Sequence, residues 1–144
     1  MLAATLGAFV ANLMRESSHP PVIAMFRLAI AEATRAPEVA QALDSVGRGA
    51  ARAALAELLA NAQSNALIGP GDPAAMATQF LGLLWEDLMV GLLLGVAEAP
   101  DANEAEPRAT KATDAFLQLY PDPTTTPLAR SRASAAGTPL PCPS

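Results

Sequence analysis

The sequence predicts an all-α domain, a bundle of five to six helices. Three observations carry the prediction. Apolar residues recur at three- and four-residue spacing, and the alternation expected of strands is nearly absent. Hydrophobic residues make up 51% of the chain but aromatics only 4%, so the core is built from Ala, Leu, Val and Met, among which Ala, Leu and Met are strong helix formers. Residues 72–96 are apolar around most of a helical circumference, where an ordinary surface helix shows one apolar stripe. A helix of that kind must be covered on several sides. The length of 144 residues suits a single domain.

The chain opens with a helix over residues 2–15, whose buried side is marked by Leu2, Leu6, Phe9, Val10 and Leu13, with Met14 beside them. Residues 16–21, which end in Pro20-Pro21, read as a loop. A second helix over 21–35 carries Val22, Met25, Phe26, Ala29, Ile30 and Ala33 on its apolar face. Pro37 fits the first position of a third helix, continued by Val39, Leu43 and Val46. Gly47-Arg48-Gly49 predicts a break or kink, since two glycines weaken a helix interior. The next helix runs over 50–65, with Ala51, Leu55, Leu58, Leu59 and Ala62 inward and Arg48, Arg52 and Glu57 on the water side. After a turn at 68–71, Asp72-Pro73 is a strong start signal, an N-cap followed by Pro at the first helical position. The helix it opens is expected to run unbroken through 72–96, with Met76, Phe80, Leu84 and Leu88 on one row and Trp85, Met89, Leu92 and Val96 on another. A loop at 99–103 precedes a last helix over 104–120, whose start is enriched in Glu104 and Glu106, which suit the helix dipole. Pro107 fits only if that helix begins close to it. The domain therefore spans 1–120. Residues 121–144, rich in Pro, Ser and Thr, read as a disordered tail.

Charge and motifs exclude several function classes. A net charge of −5 with no basic face argues against nucleic-acid binding by this chain. One cysteine, Cys142, cannot form an internal disulfide and is compatible with the cytoplasm. The apolar start has no positive segment ahead of it, so it reads as helix and not as a signal peptide. Glu86 and Asp87 fall in the middle of the apolar run, where they would be costly in a bilayer. No zinc-protease, phosphate-loop, dinucleotide, nucleophile-elbow or paired-cysteine motif occurs. Glu86 and Asp87 are neighbours that point about 100° apart on a helix, so they do not form a catalytic pair. His19 has no partner histidine or thiol nearby, and Ser17-Ser18-His19 lacks an acid. The sequence predicts no enzyme, no cofactor and no metal site.

Three phrases, in order, carry a family resemblance. They are Phe26-Arg27-Leu28-Ala29-Ile30-Ala31-Glu32-Ala33 with Pro37-Glu38-Val39-Ala40, then Asp72-Pro73 through Gln79-Phe80-Leu81-Gly82-Leu83-Leu84-Trp85-Glu86-Asp87-Leu88, then Asp114-Ala115-Phe116-Leu117-Gln118-Leu119-Tyr120. Over roughly residues 2–120 the chain resembles the C-terminal ligand-binding and dimerisation domain of TetR/AcrR-family transcriptional regulators, in particular the AefR-like subgroup. The resemblance implies a bundle whose last two long helices form a four-helix bundle with their twofold mates. It implies a homodimer, and a small-molecule pocket among the earlier helices. Family members begin with a helix-turn-helix domain. Nothing like it precedes Met1, so the chain is expected to be a fragment or a truncated form of a regulator, one that meets DNA only if the full-length protein carries that domain.

The resulting expectation is the regulatory core of a TetR-type repressor, cytoplasmic, binding a small apolar or amphipathic effector and no membrane. The alternative is a helical protein–protein interaction module without a ligand. Candidate effector residues are the bulky, adaptable Phe9, Met14, Met25, Phe26, Trp85 and Met89, with Arg27 to orient an acceptor or carboxylate. Plain core packing, with Arg27 a surface cation, accounts for the same residues. Candidate dimer residues are Leu84, Leu88, Phe116 and Tyr120, with Gly91 and Gly95 admitting a close partner helix.

Overall fold

A computed structural model of the chain describes residues 1–125. Seven α-helices follow in order: α1 (Leu2–Ser17), α2 (Pro20–Glu32), α3 (Pro37–Asp44), α4 (Ala50–Ser64), α5 (Pro73–Trp85), α6 (Leu88–Leu94) and α7 (Ala102–Leu119). A π-turn at Ser45–Gly49 joins α3 to α4, and a 3-10 turn at Pro123–Thr125 follows α7. No strand occurs among the described residues, as the helical spacing predicts.

The core is a layered stack of three helix pairs. α1 packs along α7, α7 along α5, and α5 along α4. α1 presents Leu6, Val10 and Met14, a row at four-residue spacing, all fully buried. α7 meets the bundle with small residues, Ala105, Ala109 and Ala112, which let neighbouring backbones come close. Gly7 faces this seam, where a Cβ would stand at an ordinary contact distance of 3.9 Å from Thr113 Oγ1. α4 contributes Leu55, Leu59 and Ala62, and α5 contributes Met76, Ala77, Phe80 and Leu84. Phe80 and Phe116 join α5 to α7, with ring centroids 4.5 Å apart at a 32° tilt.

Several boundaries differ from the sequence expectation, each for a local reason. The loop between the first two helices shrinks to two residues. Ser18 is buried, its Oγ donates to the Met14 carbonyl at 2.6 Å, and α1 runs two residues further than expected, to Ser17. Pro20 and Pro21 then occupy the first positions of α2, where a missing N–H costs nothing. Gly47-Arg48-Gly49 does not break the chain. It is absorbed as the π-turn, whose wider spacing keeps backbone hydrogen bonding continuous into α4. Gly49 eases the packing there, because a Cβ would stand a tight 3.2 Å from the Asp44 carbonyl oxygen. α7 begins at Ala102, five residues ahead of Pro107. A reciprocal cap sets the start: Glu104 N–H donates to Asp101 Oδ1 at 2.9 Å and Asp101 N–H donates to Glu104 Oε2 at 3.1 Å.

The largest correction concerns residues 72–96. They form two helices, bent by 61° between Trp85 and Leu88. The sequence offers no Gly or Pro at the break, which is Glu86-Asp87. The reason lies in the helical row. Asp87 follows Phe80 by seven residues and Leu84 by three, so an unbroken helix would carry its carboxylate on the buried face. Taking a carboxylate out of water costs several kcal/mol before any partner is counted. The bend turns both acids to solvent. Its cost is one strained residue, Glu86 at φ 47°, ψ −120°, with Asp87 at φ −95°, ψ −3°. These angles are those of a type II′ turn, whose first central position suits glycine. A side chain there costs about 1–3 kcal/mol, less than the buried carboxylate.

Among the described residues no single helix is long and apolar enough to cross a membrane, although the bent pair α5–α6 would pass by length and composition alone. The predicted tail lies largely outside the described residues, which end at Thr125. Within them, Asp122 accepts hydrogen bonds from the Thr124 N–H at 2.8 Å and its hydroxyl at 2.6 Å.

Candidate functional site

The bend between α5 and α6 gathers the chain's most unusual chemistry. Four cations are involved, on three different helices. Arg27, on α2, donates from Nη2 to the Leu92 carbonyl at 2.8 Å and from Nε to the Leu93 carbonyl at 2.9 Å. Both acceptors lie in the last turn of α6, where carbonyls lack helical partners and a cation is favoured by the dipole. Arg108, on α7, donates to the Leu84 carbonyl in the last turn of α5 at 3.3 Å. Lys111, one turn further along α7, lies 3.6 Å from Glu86 Oε1. Arg52, near the start of α4, has a buried Nε with no hydrogen-bond partner.

The C-terminal end of α6 is closed by its own backbone. Val96 N–H donates to the Gly91 carbonyl at 3.0 Å and Gly95 N–H to the Leu92 carbonyl at 3.2 Å. Gly95 is left-handed at φ 73°. This pair of bonds is a Schellman motif, which places glycine at the position Gly95 fills. Gly91 packs beneath the same turn: a Cβ there would lie 2.9 Å from Ala97 Cβ.

The residues expected to line an effector pocket are dispersed. Met14 is fully buried in the α1 row, and Phe9 is half-buried beside it. Met25 points outward and is 54% exposed. Phe26 packs against the π-turn, its ring tip 3.9 Å from where a Cβ on Gly47 would stand. Trp85 and Met89 flank the bend and pack half-buried against the core. Arg27 is neither a free surface cation nor aimed into a cavity; it caps α6. Two concavities on the described surface lie near these helices. One, of about 210 Å³, lies at the bend between Leu83, Leu84, Glu86, Arg108 and Lys111. The other is an open trough of about 770 Å³ along the outer face of α7, between Asn103 and Gln118. None of the seven candidates lines either one.

The expected dimer residues are placed differently too. Leu84, Leu88 and Phe116 belong to the chain's own core. Gly91 and Gly95 serve the end of α6. Tyr120 stacks on Phe116 at 5.1 Å and donates its hydroxyl to Gln79 Oε1 at 2.7 Å. The outward side of α5 carries Ala74, Ala75, Thr78, Gln79 and Gly82 instead. A Cβ on Gly82 would meet nothing within 4 Å.

Sequence reasoning missed Arg52, Arg108 and Gln63. For Arg52 the signal was present: it precedes Leu55, Leu59 and Ala62 by three, seven and ten residues, so it sits on their buried row. Its charge is what suggested the water side. Gln63 had no signal. Its Nε2 donates to the Gly69 carbonyl at 3.2 Å, the Gly71 carbonyl at 3.0 Å and Met76 Sδ at 3.4 Å, tying the α4–α5 turn to the start of α5.

Comparison with known proteins supplies the context. Residues 4–122 match the family of AefR-like transcriptional repressor C-terminal domains. A protein from Mesorhizobium loti MAFF303099, described as a TetR-family transcriptional regulator, superposes with a TM-score of 0.77 and 24% identity, over 83% of this chain and 59% of that one. The flavonoid-responsive regulator FrrA superposes with a TM-score of 0.64 and 21% identity, over 82% of this chain and 72% of its own. At these identities the likeness establishes the fold alone. This chain thus spans 59% of the Mesorhizobium protein's length. No curated protein sequence matches the chain.

Proposed function

The chain belongs to the AefR-like transcriptional repressor C-terminal domain family, and from that premise we propose that it is the effector-binding and dimerising part of a TetR-type repressor in the cytoplasm. The observation that carries this reading is the family match across residues 4–122, which covers every helix of the bundle. In this reading the chain leaves DNA contact to a separate DNA-reading domain and is not an enzyme.

Dimerisation uses the outer faces of α5 and α7. These helices pack side by side, and the outward side of α5 lacks the charged residues of an ordinary surface helix. α5 offers Ala74, Ala75, Thr78 and Gly82, small side chains that let a partner helix approach closely. α7 offers the trough between Asn103 and Gln118, with Lys111 between Glu106 and Asp114 to give charge pairing across a twofold axis. Sedimentation velocity tests this directly. The parent chain should be a dimer at micromolar concentration, and Gly82→Arg should give folded monomers. A parent chain that sediments as a monomer refutes the interface.

For the effector we infer the seam where α2 meets α6, next to the bend that Trp85 and Met89 flank. One structural relative is named for its response to flavonoids, so planar phenolic compounds are the first class to test. Trp85 is the only tryptophan and adjoins the bend. A flavanone should quench its emission saturably, and Trp85→Phe should abolish the signal while binding measured by calorimetry survives. A second reading is an interaction module without a small ligand. It is favoured by the exposed apolar residues Met25, Leu28, Val90, Leu94 and Val96. Absence of any saturable change with apolar or phenolic compounds would select it.

A further inference from the structure

The bent arrangement satisfies the ends of α5 and α6 but leaves one cation without a task. Arg52 Nε is buried and unpartnered. Its position relative to α5 follows from one contact. α4 and α5 are joined by a short turn and pack along each other, and Gln63 Nε2 meets Met76 Sδ at 3.4 Å. The end of α4 therefore faces the beginning of α5, and the two helices run antiparallel. Both rise about 1.5 Å per residue, so each step back along α4 corresponds to one step forward along α5. Arg52 lies eleven residues before Gln63, and Asp87 lies eleven residues after Met76. Were α5 to continue straight, Asp87 would enter the buried row opposite Arg52.

We propose that Glu86-Asp87 is a two-position hinge, with Arg27 as its latch and Arg52 as the partner that receives Asp87 in the second position. In the bent position described above, Arg27 holds the end of α6, Lys111 faces Glu86, and Arg52 Nε is orphaned. In the straight position α5 and α6 form one helix. Glu86 returns to right-handed backbone, Asp87 pairs with Arg52, and the amides of residues 87–90 gain acceptors four residues back. The two positions exchange one set of charge contacts for another, which is what a bistable element requires. Neither is free of defects: the bent one strains Glu86 and orphans Arg52, and the straight one removes Arg27 from the carbonyls of Leu92 and Leu93. Straightening swings the far end of the seven-residue α6 by roughly 10 Å, given its rise, and opens the seam between α2 and α6. This goes beyond effector binding, because the equilibrium belongs to the chain without any ligand.

Backbone NMR with amide hydrogen exchange on the full chain tests it. Arg27→Ala should shift the Cα resonances of Glu86 and Asp87 to helical values and slow exchange at residues 87–90 by about tenfold, since exchange reports local opening. Adding Arg52→Gln to Arg27→Ala should reverse both changes, a result that a merely structural role for Arg27 does not give. A bend that survives Arg27→Ala overturns the proposal. So does loss of protection through the whole of α6, or a straightened helix indifferent to Arg52→Gln. Should Arg27→Ala not fold, saturation-transfer NMR on the parent chain reads the same equilibrium. A minor state with helical shifts at Glu86 and Asp87 supports the hinge, and a single state without them overturns it.

Discussion

Replacing Glu86 in two ways, by Ala and by Gly, tests the central feature of the fold by the sign of a difference. In an unbroken helix Ala is more stable than Gly by about 1 kcal/mol. At φ 47°, ψ −120° the order should invert. A Cβ at such a backbone costs about 1–3 kcal/mol, and Gly is exempt. Gly gives back about 0.4–1 kcal/mol through the greater freedom of its unfolded chain. Gly should therefore exceed Ala by roughly 0.5–2 kcal/mol, the remainder of those two magnitudes. Both variants lose the 3.6 Å pair with Lys111, whose side chains are 78% and 49% exposed for Lys111 and Glu86. An exposed pair contributes little, and its loss cancels in the comparison. Urea unfolding followed by far-ultraviolet circular dichroism, at one protein concentration so that dimerisation does not enter, gives both values. If Glu86→Ala is as stable as Glu86→Gly, or more so, residue 86 is helical in solution and the bend is refuted.

Other outcomes follow from the same geometry. Asp101→Ala removes one half of the reciprocal cap at the start of α7 and should cost about 1 kcal/mol, read as a lower urea midpoint with an unchanged slope. Phe80→Ala empties a fully buried site between α5 and α7 and should cost about 3–5 kcal/mol, enough to leave much of the chain unfolded at 37 °C by circular dichroism. Asp122 is held below its ordinary pKa by the Thr124 hydroxyl first and the Thr124 N–H second. A lowered folded pKa means its contribution is present above the ordinary value and is lost as pH falls through the folded one. The Thr124 amide shift should follow that titration, and a midpoint at or above the ordinary aspartate value would contradict the capped turn. Alone, the chain should leave the mobility of duplex DNA unchanged in a gel shift, because its net charge is −5 and phosphate binding needs a basic surface.

The all-α class, the family and most helix boundaries are legible in the amino-acid order. These depend on signals that act within a few residues: four-residue apolar spacing, the Asp72-Pro73 start, and proline at the heads of α2 and α3. Two further local signals lie in the sequence, the Asp101–Glu104 cap and the place of Arg52 on the row of Leu55, Leu59 and Ala62. Tertiary structure alone decided the rest. Whether 72–96 stays straight depends on what would surround Asp87, and that surrounding is built by α4 and α7. The role of Arg27 depends on carbonyls more than sixty residues away. Local spacing could not show that Leu84 and Phe116 face the chain's own core while α5 turns Thr78 and Gly82 outward. An apolar helix covered on several sides reads the same whichever neighbour covers each side. Only the packing of α1 on α7 and α4 on α5 assigns those sides.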